Sequence, residues 1–364
     1  MTQNNLLLLS KRHFVLTPVF SVNELDQSYT LKELQDLSVS NPSLRRAELM
    51  TRIAGFEEYA IKHGHVGEFI TITCPSRMHA RLYNSGDQNP KYCGVTPDQS
   101  QKYLDEQWCK IRAVLKRQGI DMYGMRVVEP QHDGTPHWHM LVFMEPECVE
   151  SVRSIMSRYA LEIDGDERGA KDHRFTAVSI DWGRGTAAGY IAKYISKNID
   201  GYGVDEDLYG NNAKQSAIRV DAWASTWGIR QFQQIGGPPV TIWRVLRALT
   251  EVPEDELASC AYHAADEGNW CQYMEIMGGH SVLRKDWPIG LAKQEIDQVN
   301  SYGEPIGQVV VGICVGQVTY RSKNHIWAIT PKAVCDISYI GDCYVDDTLH
   351  NVTLREKDPL RNGK

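Results

Sequence analysis

The chain has 364 residues, of which 42% are hydrophobic and 23% charged, and its 39 Lys and Arg against 46 Asp and Glu give a net charge of −7. This composition is typical of a globular protein with roughly two or three domains. The longest apolar run, residues 309–315, contains Gly312 and is too short to cross a membrane, so we expect no membrane partner. The excess of acidic residues argues against a protein that coats nucleic acid through nonspecific charge attraction. It does not argue against a local basic groove that binds nucleic acid.

The cysteines and the first residues indicate the compartment. The nine cysteines are scattered along the chain without a C-x-x-C pair, which argues against a zinc ribbon. The apolar residues 6–9 are too few for the core of a signal peptide. An odd number of thiols without such a signal predicts reduced cysteines and a cytoplasmic protein.

Helical periodicity dominates residues 1–65. Leu31, Leu34 and Leu37 recur at helical spacing, and the apolar residues between Ala47 and Ala60 do the same. We therefore predict an N-terminal helical extension over residues 1–55.

The next part of the chain alternates strands with helices. Thr96, Pro97 and Gln99 are typical of a helix start with a capping box, and Gly119 is typical of a helix end. Asp133-Gly134 predicts a turn between two strands. The predicted strands are residues 66–74, 122–129, 137–144 and 175–182, and the predicted helices are residues 97–118, 149–159 and 186–198.

The order β-α-β-β-α-β-α predicts an α+β fold with a ferredoxin-like antiparallel sheet backed by helices. After residues 236–239 (GGPP), an acidic helical segment precedes short β-like runs. We therefore predict a central domain over residues 56–240. A C-terminal accessory domain, first helical and then β-rich, is predicted over residues 241–364.

Two histidines stand two residues apart in the third predicted strand. Because strand side chains alternate, His137 and His139 share one face while Trp138 points to the other. Imidazoles about 7 Å apart along a strand can converge on one metal ion. If the neighbouring strands form a hairpin, Glu129 adds a carboxylate and completes a set suited to Mg²⁺ or Mn²⁺. The alternative is a pair of solvated or core histidines, because the His-x-His pattern is common.

A later predicted helix carries Tyr190 and Tyr194, which share one face because they are four residues apart. Lys193 and Lys197 each follow a tyrosine by three residues, so each phenol has a cation within reach. A phenol has a pKa of about 10, and as a nucleophile it needs a nearby cation or a target polarised by a metal. The alternative is an amphipathic helix that packs two aromatic side chains.

These blocks occur in the order found in a known group of enzymes. EPQHDGTPHWHMLVF and the later GYIAKYISK resemble the HUH endonuclease superfamily and, more closely, the phage replication gene A proteins that initiate rolling-circle replication. ITITCPSRMHA (residues 70–80) and WASTWGIRQFQQIGGPP (residues 223–239) are also similar to the phage group. The histidine block precedes the tyrosines, as in replication initiators, whereas conjugative relaxases have the tyrosine first.

The resemblance implies three metal ligands and two nucleophiles, and either of two lysines beside the tyrosines could stabilise the phenolate or the transferring phosphate. These are His137, His139 and Glu129; Tyr190 and Tyr194; and Lys193 and Lys197. The implied reaction is the metal-dependent nicking of one DNA strand through a 5′-phosphotyrosine intermediate. The implied joining step needs no ATP, because the phosphotyrosine keeps the bond energy.

The resemblance also implies DNA partners and leaves other functions open. Origin DNA, single-stranded or supercoiled, is the expected partner, and a host replicative helicase could be a second. Arg77 and His79 could contact DNA or simply form a polar loop. Trp223, Trp227 and Phe232 could stack unpaired bases, or lie on a helix packed against a core. The alternative functions are an HUH-type transposase or mobilisation relaxase, and an origin-binding protein that does not cut DNA.

Overall fold

The computed structural model describes residues 20–183, 185–203, 212–299, 305–322 and 327–330. The strands are β1 (Phe20–Asn23), β2 (Ser28–Thr30), β3 (Val66–Ile72), β4 (Tyr123–Pro130), β5 (Pro136–Met144), β6 (Phe175–Ser179), β7 (Phe232–Ile235), β8 (Gly290–Val299), β9 (Pro305–Val315), β10 (Val318–Arg321) and β11 (Trp327–Thr330). The helices are α1 (Leu31–Leu37), α2 (Pro42–His63), α3 (Pro97–Arg117), α4 (Val149–Ala160), α5 (Ala170–His173), α6 (Ala187–Ile199), α7 (Ala213–Thr226), α8 (Val240–Arg247), α9 (Glu256–Glu267) and α10 (Trp270–Ile276). Among the described residues, no helix is long and apolar enough to cross a membrane.

The chain forms two compact units. The central unit contains Arg46–Pro238 and Trp270–Arg284. The terminal unit contains residues 20–45, Pro239–Asn269 and the described residues between 285 and 330. The division into an extension, a central domain and an accessory domain at residues 55 and 240 stays a prediction.

The central unit is built on a five-stranded antiparallel sheet with the strand order β6-β3-β5-β4-β7. From β3 to β6 the chain follows the predicted β-α-β-β-α-β order, with the short helix α5 added before β6. The predicted α+β class, with an antiparallel sheet and helices, is therefore confirmed.

The strand β7 was not predicted. Phe232, which the spacing predicts on the same helix as Trp223 and Trp227, lies instead on β7 and pairs with Val127 of β4. Helix α7 ends before Gly228, whose φ of +62° is the left-handed conformation that favours glycine. Local periodicity misses β7 because its hydrogen-bond partner is far away in the sequence.

One face of this sheet carries the main hydrophobic core of the central unit. Trp138 and Met140 of β5 are buried there with Leu104 and Trp108 of α3 and Val152 of α4. Each fully buried side chain of this size contributes about 1.5–3 kcal/mol to folding. The core thus fixes β5, and with it the side chains that β5 directs to the opposite face.

Two helix starts in the central unit, those of α3 and α6, are capped by side chains. Thr96 and Gln99 form the predicted capping box of α3, and the predicted cap Thr186 accepts a hydrogen bond from the backbone N–H of Gly189 at the start of α6. The carboxylate of Glu57 on α2 also accepts the N–H groups of Ala187 and Ala188, both at 3.0 Å. These contacts satisfy donors that a helix start leaves open, and the negative charge suits the helix dipole.

The terminal unit contains two three-stranded sheets, β11-β1-β2 and β10-β9-β8. The helical prediction for the N-terminal residues is therefore wrong for β1 and β2, and residues 1–19 lie outside the described residues. β1 pairs on one side with its sequence neighbour β2 and on the other with β11, which is far away in the sequence. Residues 331–364 of the predicted accessory domain also lie outside the described residues.

Candidate metal and nucleophile site

The hairpin of β4 and β5 brings together the three predicted metal ligands. Glu129 pairs with His137 in register, and His139 follows on the same face of β5. One candidate donor atom from each residue lies within 4.8 Å of the other two. The closest contact between carboxylate and imidazole, from Oε2 of Glu129 to Nε2 of His139, is 3.5 Å.

Neighbouring side chains orient two of these groups. The Nδ1 atom of His139 forms a 3.0 Å hydrogen bond with the hydroxyl of Thr71 on β3, which leaves Nε2 directed toward Glu129. The other carboxylate oxygen of Glu129 accepts a hydrogen bond from the side-chain amide of Asn198 on α6. Contacts of this kind typically fix the rotamer and tautomer of metal ligands.

A buried atom without a hydrogen-bond partner supports a metal at this position. The Nδ1 atom of His137 is buried, and no described residue forms a hydrogen bond with it. A buried polar atom without a partner is costly, but a bound cation would satisfy it. Two imidazole nitrogens and a carboxylate oxygen fit a divalent cation that keeps other positions open.

The protonation states also suit a cation. Burial would raise the pKa of Glu129, but the hydrogen bond and charge of His139 hold it below its usual value, aided by His137 and Lys197. Burial, together with the charge of His139, lowers the pKa of His137 to about 3. A carboxylate and a neutral imidazole are the forms that ligate metals.

The predicted tyrosines occupy different environments on α6. The ring of Tyr194 lies 4.2 Å from the ring of His139 and 5.2 Å from that of Phe69. Burial and the charge of Glu129 raise the pKa of the Tyr194 phenol. Tyr190, one turn earlier, is 42% exposed, and its ring lies 6.3 Å from Phe69.

A cleft of about 780 Å³ connects these groups to solvent. Tyr194, Lys197 and Asn198 line it together with the three predicted ligands, whereas Tyr190 and the exposed Lys193 are not among its described lining residues. A volume of this size is in the range of ligand-binding sites.

The residues predicted to contact DNA are placed differently from one another. His79 lines the cleft, with its Nδ1 atom 3.3 Å from the carboxylate of Asp133, while Arg77 forms a 3.1 Å ion pair with Asp164. Trp223 and Trp227 are partly buried against the main core, and the indole N–H of Trp223 donates to the carbonyl of Gly134. Both tryptophans are therefore in the surroundings expected if they pack against a core. Whether any of these four residues contacts DNA stays a prediction.

The sequence interpretation missed Thr71, Asp133 and Asn198. Asn198 had a detectable signal, since it is four residues after Tyr194 and therefore shares its helix face. Thr71 alternates with Ile70 and Ile72 along β3, but only the pairing of β3 with β5 shows which residue it meets. These polar contacts join segments that are far apart in the sequence.

Residues 10–202 match the family described as bacteriophage replication gene A protein (GPA). The chain belongs to this family. The predicted resemblance to the phage replication gene A proteins is thus confirmed, and the match includes the hairpin of β4 and β5 and the whole of α6.

Replication gene A proteins from two phages, and a protein from a prophage-like region, are similar to this chain. It is 42% identical to the replication gene A protein of Escherichia phage 186 over 348 residues, which are 91% of this chain and 50% of that protein. The identity to the replication gene A protein of Escherichia phage P2 is 42% over 315 residues, 81% of this chain and 41% of that protein. A protein of Salmonella paratyphi A, named probable replication endonuclease from prophage-like region, is 36% identical over 78% of this chain and 38% of its own length.

The chain therefore spans about half, or less, of the length of these GPA-family relatives. No solved structure matches it.

Proposed function

We propose that this chain nicks and rejoins one strand of DNA at a phage replication origin and so initiates rolling-circle replication. The observation that carries the proposal is the contact between Tyr194 and His139, whose rings are 4.2 Å apart beside the candidate donors Glu129 and His137. A nucleophile of suitable type thus adjoins a candidate cation site within one cleft.

In the proposed reaction, a tyrosine phenol oxygen attacks the phosphorus of the scissile phosphodiester. A bond forms between that oxygen and phosphorus, the bond from phosphorus to the 3′ oxygen breaks, and the phenol proton is released as the 3′ oxygen gains one. The products are a 5′-phosphotyrosine and a free 3′-OH, which primes synthesis. Attack by a 3′-OH on the phosphotyrosine reverses the step, so joining needs no ATP.

Glu129, His137 and His139 are the residues that would hold the divalent cation, Mg²⁺ or Mn²⁺. Such a cation stabilises the negative charge of the transferring phosphoryl oxygens and orients in-line attack. Lys197, in the cleft, adds a positive charge near the phenolate and phosphate. Thr71 and Asn198 hold His139 and Glu129 in position.

The two tyrosines are proposed to act in turn. Tyr194 lies at the site, and Tyr190 is one helical turn away on the same face of α6. After one round of synthesis, one tyrosine would hold the parental phosphate while the other cuts the regenerated origin. Lys193 would place a positive charge near the phenolate of Tyr190, as Lys197 would for Tyr194.

The alternative enzyme functions differ in product. An HUH-type transposase or a relaxase would use the same chemistry, but the position of the histidines before the tyrosines and the tyrosine pair favour replication. The names of the GPA-family relatives also favour it, since they refer to replication and some to endonuclease activity. Origin DNA, and as a second partner a host replicative helicase, then belong to the proposal, as does action in the bacterial cytoplasm.

A covalent adduct assay tests this function. The protein is incubated with Mn²⁺ or Mg²⁺ and labelled single-stranded fragments tiled across the genome that encodes it, and the products are separated on a denaturing gel. We expect an SDS-resistant adduct on the 5′-phosphate side of the cut, lost with EDTA and in the Tyr190→Phe/Tyr194→Phe variant. Tyr202→Phe, at an exposed tyrosine that does not line the cleft, is the matched control and should retain the adduct.

The single variants Tyr190→Phe and Tyr194→Phe show which tyrosine cuts first. If no fragment gives an adduct while DNA binding remains tight, the binding-only function replaces the proposed one.

A further inference from the structure

A loop at the edge of the cleft presents an exposed aromatic ring. Tyr83 is 77% exposed and lines the cleft that contains Tyr194. Its ring lies 5.3 Å from that of His132, nearly perpendicular at 82°, and His132 lines the cleft as well. The two rings therefore form an aromatic wall beside the candidate site.

The loop that carries Tyr83 is held by its own hydrogen bonds. Arg81 and Gln88 form an isolated β-bridge, and the guanidinium of Arg81 donates to the carbonyl of Gly86 at 3.1 Å. The side-chain amide of Asn89 donates to the carbonyls of Ser76 and His79. The backbone of the loop is thus held in place before any ligand binds, which lowers the entropic cost of binding a ligand to Tyr83.

The same loop is tied to the hairpin that carries the candidate metal ligands. The buried carboxylate of Asp133 accepts a hydrogen bond from the backbone N–H of Arg81 and lies 3.3 Å from Nδ1 of His79. Asp133 belongs to the turn between Glu129 and His137, so its contacts fix the aromatic wall relative to those ligands.

The charge of the cleft suits a phosphodiester backbone. Although the chain carries a net charge of −7, the described lining contains more cations than carboxylates. These are Arg81, Arg168, Arg174 and Lys197 against Glu129 and Glu167. Glu167 is also paired with Lys91 and Arg174, which reduces its repulsion of an anion. A cationic groove with an exposed aromatic ring is the usual arrangement for binding single-stranded nucleic acid.

We propose that an unpaired base of the single strand stacks on Tyr83, with His132 supporting the ring and Arg81 facing the phosphate backbone. The inference rests on the proposed function, because it assumes that a single strand of DNA enters this cleft. Stacking on a phenol ring accepts any base, so Tyr83 contributes affinity and position, and the origin sequence is read by other contacts.

Two probes separate stacking from backbone binding. One is a 5′-fluorescent oligothymidylate of about 16 nucleotides, within the range bound by single-strand modules, and the other is a sugar-phosphate oligomer of equal length without bases. Binding is measured by anisotropy in EDTA, with the Tyr190→Phe/Tyr194→Phe protein as background so that no cleavage occurs. The measured quantity is the ratio of the two dissociation constants, which reports the base contribution alone.

Tyr83→Ala should lower the preference for the probe with bases by about 5- to 150-fold. Tyr83→Phe retains the ring and should retain the preference, and Tyr202→Ala, an exposed tyrosine away from the described cleft lining, should leave it unchanged. An unchanged preference in Tyr83→Ala, an equal loss for both probes, or no preference in the parent protein would each overturn the inference.

The adduct assay distinguishes this inference from the proposed function. If the protein with both tyrosines forms the adduct but Tyr83→Ala keeps the base preference, only the inference fails. If Tyr83→Ala loses the preference as expected but the protein forms no adduct on any fragment, only the nicking function fails.

Discussion

The strand β5 supplies side chains to two faces of one sheet, and the faces differ in composition and contacts. On the α3 and α4 side, Trp138 and Met140 are fully buried among apolar side chains. On the opposite side, His137 and His139 lie beside Glu129 and Tyr194, and the Nδ1 atom of His137 has no described hydrogen-bond partner. The face with Trp138 and Met140 is closely packed, whereas the face with His137 and His139 presents polar atoms that a ligand could bind.

Within this single strand, the residues of one face contribute mainly to the stability of the fold, and the residues of the other face contribute mainly to the proposed reaction. Burial of apolar area stabilises the fold, so changes on the core face should act on the free energy of unfolding. Buried polar groups without partners lower the stability of the fold. The packing of the core face must therefore offset the cost of the polar groups on the opposite face. Substitutions of neighbouring residues on β5 can therefore be compared directly.

The largest effect on activity is expected from the histidine face of β5, the face that carries His137 and His139. His139→Ala removes a candidate ligand, and the rate of adduct formation should fall at least about a thousandfold, because a bound metal supplies several kcal/mol of charge stabilisation. The free energy of unfolding should change less than in a core variant. Rates come from time courses on denaturing gels and unfolding from urea titration. A rate near that of the unchanged protein would remove His139 from the proposed metal set.

The matched substitution on the core face is Trp138→Ala. It leaves a cavity, removes a 3.0 Å hydrogen bond to Gln101 and takes the ring away from the guanidinium of Arg126, 4.0 Å from the ring centroid. We expect a loss of about 3–5 kcal/mol in the free energy of unfolding. In conditions where the variant is folded, adduct formation should persist. A folded Trp138→Ala protein without activity would contradict the separation of the two faces.

A smaller effect is expected from Asn198, which joins α6 to the histidine face by donating to Glu129. In Asn198→Ala, metal affinity should weaken by about 10- to 100-fold, as for other groups that orient metal ligands. Excess metal should restore adduct formation, because the nucleophiles are unchanged. Metal affinity is measured by calorimetric titration with Mn²⁺. Activity that stays low at saturating Mn²⁺ would show that Asn198 positions the tyrosine helix and not the ligand.

The sequence predicted the local features on which these comparisons depend. Strand alternation placed His137 and Trp138 on opposite faces, because a period of two needs no knowledge of the partner strand. The Asp133-Gly134 turn predicted a hairpin that could bring Glu129 beside the two histidines, because a hairpin joins neighbouring segments. Both are properties of short stretches of chain.

The features that escaped prediction depend on distant segments. The strand β7 pairs with the distant β4, so the helical position predicted for Phe232 was wrong. The strands β1 and β2 also interrupt the predicted helical extension, and β1 has a second partner in the distant β11. Asn198 and Thr71 became relevant to the site only when α6 and β3 were placed beside the hairpin. Local periodicity carries no information about which strands meet.

The smallest expected effect concerns Asp133, in the turn next to the two histidines of β5. Its contribution to the free energy of unfolding should depend on pH, whereas the contribution of the core face should not. Burial would raise the pKa of this carboxyl group, but hydrogen bonds from His79 and from the backbone and side chain of Thr135 hold it well below the usual value of 3.8. The folded carboxyl group therefore binds its proton less tightly than the unfolded one. Its stabilisation is complete above the unfolded pKa and is lost as pH falls through the lower folded pKa.

Asp133→Asn should therefore lower the free energy of unfolding at neutral pH by about 1–2 kcal/mol, as expected for a hydrogen-bonded charge. The difference from the unchanged protein should shrink as the pH falls below the unfolded value. Trp138→Ala should show the same loss at every pH, because no proton is bound or released when its ring is removed. Urea titrations of both variants between neutral and acidic pH measure this. A constant deficit for Asp133→Asn would mean that packing of the turn, not charge, holds the loop of Tyr83 to the hairpin.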